Sequence, residues 1–148
     1  MVSQRKDGVS MFLVGFPLLL IPFALYNIFA FIFGVTNWTQ PHTTVHIISG
    51  GEWGIAFGDF LIALSILLLF VEILKSTRFG TRGLIDHMLS MLLFIVMIVE
   101  FLLVERAATS VFFLIMVTEF VDVLGGFTVS IRTAQRDIGI ESADRIIS

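Results

Sequence analysis

Apolar residues fall along this chain in four long blocks, and each block has the length of a bilayer crossing, about 20 residues. The blocks cover approximately residues 9–34, 54–74, 84–104 and 108–131. A run that is apolar on every face predicts a helix surrounded by lipid rather than one lying on a soluble core. The first block is too long and too rich in Phe for the apolar core of a signal peptide. No small-residue cleavage site follows it, so it is expected to remain as an anchor. Pro17 and Pro22 lie inside that block, and proline removes a helical hydrogen bond, which predicts a bend in its first half.

The polar breaks between blocks predict how the helices connect. Glu105, Arg106 and Ala107 form so short a turn that the third and fourth helices must run antiparallel. The loop over residues 75–83, with Gly80 and Gly83, predicts the same for the second and third. The expected fold is therefore all-α: a polytopic, antiparallel four-helix transmembrane bundle forming one domain over residues 1–148, with an outer loop at 35–53 and a tail at 132–148. Arg5, Lys6, Lys75, Arg78, Arg82, Arg132, Arg136 and Arg145 fall on one side of such a bundle and only Arg106 on the other. Because basic loops stay in the cytoplasm, both termini and the tail are expected there. Trp38 and Trp53 suit an outer aromatic belt. In the tail, Ile138, Ile140, Ile146 and Ile147 alternate with charges, which fits either a helical extension settling at the interface or a frayed polar end.

Composition agrees with the pattern. Hydrophobic residues make up 57% of the 148, with 16 Phe, and mean hydropathy is +0.99, well above a soluble domain. The expected setting is the lipid bilayer, with a bacterial inner (plasma) membrane as the default compartment. Little sequence is left for a soluble catalytic domain. The chain has no cysteine, which excludes disulfide, thiolate and iron–sulfur chemistry. The net charge of −3 and the absence of a basic stripe give no support for nucleic-acid binding.

Charge changes the picture most where it interrupts the apolar blocks. Asp59, Glu100, Glu119 and Asp122 lie within predicted spans that contain no Lys or Arg at matching depth. An ionised carboxylate near a bilayer centre costs at least a few kcal/mol, so each must be protonated, hydrogen-bonded, hydrated or paired with a cation. At about 1.5 Å rise per residue, Asp59 and Glu100 lie roughly 7 and 9 Å outward from the middle of their helices. Asn27 falls at a similar depth on the first, so three helices are expected to offer oxygen ligands in one layer. Glu119 and Asp122 share a face one turn apart near the middle of the fourth helix, and Gly126 continues that face. Thr118 points away from it. Together these residues predict a ladder running inward from the outer side. Such a ladder suits a proton relay, because neighbouring carboxylates in low dielectric favour sharing a proton, or a hard cation held by oxygen ligands. Glu72 is set aside because Lys75 follows at i+3, and Asp86 and His87 are assigned to the cytoplasmic start of the third helix.

Weaker signals lie on the outer side and at the second span. His42 and His46, four residues apart, would share one face of a short helix opened by Pro41 and are a candidate zinc or copper pair. Gly50, Gly54 and Gly58 repeat every four residues and predict a small-residue stripe for close helix packing. Asn37-Trp38-Thr39 matches a glycosylation sequon. No phosphate-cradling loop, serine–histidine–acid arrangement or zinc-protease motif is present, so an enzyme is the least supported reading. The leading expectation is a small ion-handling membrane protein, a proton or cation channel or transporter subunit, forming a homo-oligomer. The alternative is a non-catalytic accessory or assembly subunit of a larger membrane complex, whose acids pair with basic residues of its partner. No cofactor is implied beyond a bound proton or cation.

Overall fold

The computed structural model describes residues 16–76 and 81–147. Helix α1 (Leu20–Asn27) runs into a π-helical turn (Ile28–Ile32), followed by a hairpin of β1 (Pro41–His46) and β2 (Glu52–Ala56). Then come α2 (Phe57–Ser76), α3 (Thr81–Leu103), a 3₁₀ turn (Glu105–Ala107) and the long α4 (Ser110–Ile147). Among the described residues three stretches are long and apolar enough to cross a membrane: Phe57–Ser76, Ile85–Leu103 and Ser110–Val129. At about 1.5 Å per residue each reaches across the roughly 30 Å hydrocarbon core. Many of their large side chains, among them Phe60, Leu67, Phe70, Leu92 and Leu114, face outward.

The first predicted span is shorter as described: the apolar helix covers Leu20–Ile32, and residues 9–15 lie outside the described residues. The expected proline bend falls partly on residues outside the described ones. Pro17 precedes α1, its carbonyl accepting from Leu20 N–H at 3.1 Å, and Pro22 occupies the first turn. There a missing N–H removes no intrahelical bond, so neither proline interrupts α1 itself. The irregularity comes at the other end, where Phe33 N–H bonds Ile28 O at 3.3 Å. Gly34 at φ +68° then ends the helix, and Val35 N–H closes back on Phe29 O at 2.9 Å.

The segment expected as an outer loop contains an antiparallel hairpin, so the chain is not purely helical. Thr43 pairs with Ile55, Thr44 with Gly54, Val45 with Trp53 and His46 with Glu52, with an irregularity between Pro41 and Thr43. The β-branched run Thr43, Thr44 and Val45 favours the strand, and Gly50 at φ +84° supplies the left-handed turn. Because β2 takes up Gly54 to Ala56, α2 begins three residues later than its hydropathy suggests.

Both α2 and α3 pack chiefly on α4, while α1 leans on α2 and α4. At the hairpin end the core is aromatic. Tyr26 stacks on Trp38 at 4.2 Å between centroids and meets Phe112 edge-on at 4.9 Å. Trp38 is buried there rather than placed in an interfacial belt, whereas Trp53 is exposed. Thr109 caps α4 by accepting from Phe112 N–H at 3.2 Å. The tail is helical and continuous with the last span, giving α4 38 residues and a length of about 57 Å.

Candidate functional site

The densest buried polar cluster among the described residues lies towards the Lys75 end of the bundle, and three helices build it. Helical periodicity puts Glu72 and Lys75 on one face of α2, Asp86, His87 and Ser90 together on α3, and Glu119, Asp122 and Gly126 along one face of α4. Lys75 Nζ lies 2.9 Å from Glu72 Oε2 and 3.1 Å from Asp86 Oδ2, and donates to Phe16 O at 2.9 Å. These contacts engage all three ammonium donors. Glu72 is only 4% exposed, and its second oxygen accepts from Leu18 N–H. Ser90 hydrogen-bonds Asp122, which also faces Asp86, His87 and Lys75. The His87 ring lies against α4 where Gly126 leaves room, since a Cβ there would overlap the imidazole. It also meets Phe127 edge-on at 5.4 Å.

Glu119 differs from the other acids. It is 0% exposed, and neither carboxylate oxygen has a hydrogen-bond partner among the described residues. The nearest charged groups acting on it are Asp122 and Glu72, both acids. Asp86 Oδ1 and His87 Nε2 are likewise buried without a partner. A carboxyl group so enclosed has lost its hydration without gaining a donor among the described residues.

A second polar layer lies at the hairpin end. Asn27 Nδ2 donates to Glu100 Oε2 at 3.3 Å and to Phe23 O at 3.1 Å. The Tyr26 hydroxyl donates to Arg106 O at 2.7 Å and lies 2.7 Å from Thr109 Oγ1. Arg106 donates to Ala30 O at 2.7 Å within the π-helical turn and sits over the Phe31 ring at 5.6 Å. Asn27 and Glu100 therefore meet as expected. Asp59 does something else: exposed in the first turn of α2, it accepts from Ala56 N–H at 2.9 Å and caps its own helix. The late start of α2 accounts for this position. Along the helices between the two layers lie Leu61, Leu93, Met97, Phe112 and Ile115, all buried, and the fully buried Ser65, whose hydroxyl donates to Leu61 O at 2.8 Å. On α3 alone the step from Glu100 to Ser90 is about 15 Å. The acids thus gather at two levels with mostly apolar packing between them.

The weaker signals sort differently. His42 and His46 stand on a strand, not a helix, where four residues span about 13 Å, too far to share an ion. His46 Nε2 instead meets its cross-strand neighbour Glu52 at 2.9 Å on the surface. Among the described residues no three His, Cys, Asp or Glu side chains converge to hold a metal. The glycine stripe is also redistributed: Gly50 is in the turn, Gly54 in β2 and Gly58 in the first turn of α2. A Cβ at Gly54 would lie 2.7 Å from the Pro41 ring, and one at Gly58 would lie 2.6 Å from Val111 Cγ2 and 2.7 Å from Trp38 O. Both glycines serve close packing, but within the hairpin and beneath Trp38 rather than along a helix face.

Sequence reasoning left out Lys75, Glu72, Asp86, His87 and Ser90, which surround the Glu119 face. Their signal was the i, i+3 pair Glu72 and Lys75 and the polar spacing Asp86, His87, Ser90 at the start of an apolar run. The pairing of Glu72 with Lys75 and the place of Asp86 at a helix start both suit the cytoplasmic ends of the spans, and neither shows that the two groups meet. Comparison with protein-family models, curated proteins and solved structures finds no match.

Proposed function

We propose that this chain is a small ion-handling membrane protein, a proton or cation channel or transporter subunit. In this reading the ion is handled at the Glu119 and Asp122 face of α4. The observation that carries it is the enclosed Glu119 carboxyl, buried without a donor and flanked by acids. Lys75 shares its one positive charge between Glu72 and Asp86, and Asp122 has Ser90, so Glu119 is the acid of this cluster with neither oxygen partnered. The proposal includes the first span completed by residues 9–15, both termini in the cytoplasm, and the Lys75 end facing inward, as the Lys and Arg distribution argues. Passage to the Asn27 and Glu100 layer requires the helices to part at Leu61, Met97 and Phe112. Assembly of several copies through the outward apolar faces belongs to the same proposal.

The accessory-subunit reading needs a partner's Lys or Arg to reach the acids. Glu119 has no exposed surface, so a long basic side chain would have to open the bundle, and Glu72 already has a base. Ion flux into liposomes containing the purified chain distinguishes the two readings. Flux that is lost in the Glu119→Gln, Asp122→Asn double variant supports ion handling. Flux retained in that variant, or absent from folded wild type, removes it.

A further inference from the structure

We infer that the ion taken by the Lys75-end cluster is a proton, held on Glu119 and exchanged with that end of the molecule through Asp122 and the His87 imidazole. The inference rests on the ion-handling reading and names its ion. Of the acids gathered here, Glu72 is satisfied by Lys75 and Leu18 N–H, Asp86 is paired with Lys75 through one oxygen and Asp122 is bonded by Ser90. Glu119 has none of these, although it is the most enclosed. Whatever neutralises it must be small and must need few ligands.

A divalent metal cation fails the second condition. Hard cations take about six to eight oxygen ligands in the case of calcium, and magnesium demands a near-octahedral shell. No such convergence of side chains exists among the described residues. The Lys75 ammonium already occupies the space between Glu72 and Asp86, so a metal would have to displace it or share its field. A proton needs one carboxylate oxygen and no shell.

The route towards the Lys75 end follows from the groups facing each other. From α2 these are Glu72 and Lys75, from α3 Asp86 and His87, and from α4 Asp122. Asp122 is one turn from Glu119 on the same face and faces His87. The imidazole fits against α4 because position 126 is glycine, and its Nε2 is buried without a partner. Imidazole accepts a proton on one nitrogen and releases one from the other, ending in the other neutral tautomer. The proton leaves the Glu119 oxygen, passes by way of a water molecule to Asp122 and on to one nitrogen of His87, and the other nitrogen releases its own proton to water at the Lys75 end, one O–H or N–H bond breaking as the next forms at each step. His87 is half-buried, and the Lys75 and Asp86 side chains are 16% and 14% exposed, so this end is the one that reaches outside.

The test uses the full-length chain in phosphatidylcholine–phosphatidylglycerol liposomes with a pH-sensitive dye inside and a potassium diffusion potential across the membrane. Infrared spectra of the same samples follow the protonated carboxyl band. The expected result is a lumenal pH change that is indifferent to replacing sodium by choline or adding calcium. A protonated-carboxyl band should be present in wild type, lost in Glu119→Gln and kept in His87→Ala. His87→Ala should slow the pH change at least about tenfold, with added imidazole restoring it, a rescue that a merely structural role would not show. Gly126→Ala displaces the ring while keeping every titratable group and should slow exchange in the same way, which covers the case of an unfolded His87 variant. Flux that requires sodium or calcium, with no carboxyl band, overturns the proton while leaving ion handling intact. Wild-type rates in both the His87→Ala and Gly126→Ala variants overturn the route. A folded wild type that shows the band but moves no ion overturns ion handling itself and leaves Glu119 as a protonated packing residue.

Discussion

Replacing Glu119 by Met is expected to make the protein more stable and inactive. Glu119 has no exposed surface and no hydrogen-bond partner among the described residues. Burying such a group uncompensated costs about 1–3 kcal/mol on mutational scales. Met is unbranched, similar in length and adapts to irregular space, so it fills the site without that cost. The expected gain is about 1–3 kcal/mol, the cost of the unsatisfied polar group that the substitution removes. For a chain of this size each kcal/mol moves the thermal midpoint by about 2–4 °C. Thermal unfolding followed by circular dichroism in lipid nanodiscs reads the shift, with Glu119→Gln as control, because an amide leaves buried donors unsatisfied and should not stabilise. Ion flux from the same preparations should vanish in the Met variant, the pattern of a residue kept for activity at the expense of stability. A Met variant less stable than wild type by about 1 kcal/mol or more would show that Glu119 is held by a partner or bound ion, and would refute the argument.

Lys75→Met removes the base from two enclosed acids, Glu72 and Asp86, and should cost about 3–5 kcal/mol. Adding Glu72→Gln should recover part of that loss, and chemical denaturation of the two variants measures it. Tyr26→Phe deletes the hydroxyl shared with Arg106 O and Thr109 while leaving the Trp38 stack. The expected loss is about 1–2 kcal/mol, read as a lowered thermal midpoint with an unchanged far-ultraviolet spectrum. Gly58→Ala drives a Cβ into Val111 and the Trp38 carbonyl, against which Gly58 N–H is bonded at 3.0 Å. It should cost about 1–3 kcal/mol and increase Trp38 exposure, measured by fluorescence quenching.

Hydropathy alone determined the three helices that can cross a membrane. A run of some 20 apolar residues has one local solution in lipid, a helix that satisfies its own backbone groups, and that solution does not depend on neighbours. It also put Glu119 and Asp122 on one face, because i, i+3 spacing is a property of the helix itself, and it matched Asn27 with Glu100 by depth. Tertiary structure decided the rest. The hairpin moved the start of α2 to Phe57, which made Asp59 a helix cap in the first turn of that span and dispersed Gly50, Gly54 and Gly58 among turn, strand and helix. Lys75 lay three residues after Glu72 in any reading. That it also reaches Asp86 and the Phe16 carbonyl depends on how α2 and α3 are rotated on α4 and where the chain before α1 passes. Rotation and register are set by packing between distant segments, and no local pattern encodes them. The same packing placed Leu61, Met97 and Phe112 between the two polar levels and enclosed Glu119, giving one acid among several the surroundings that matter chemically.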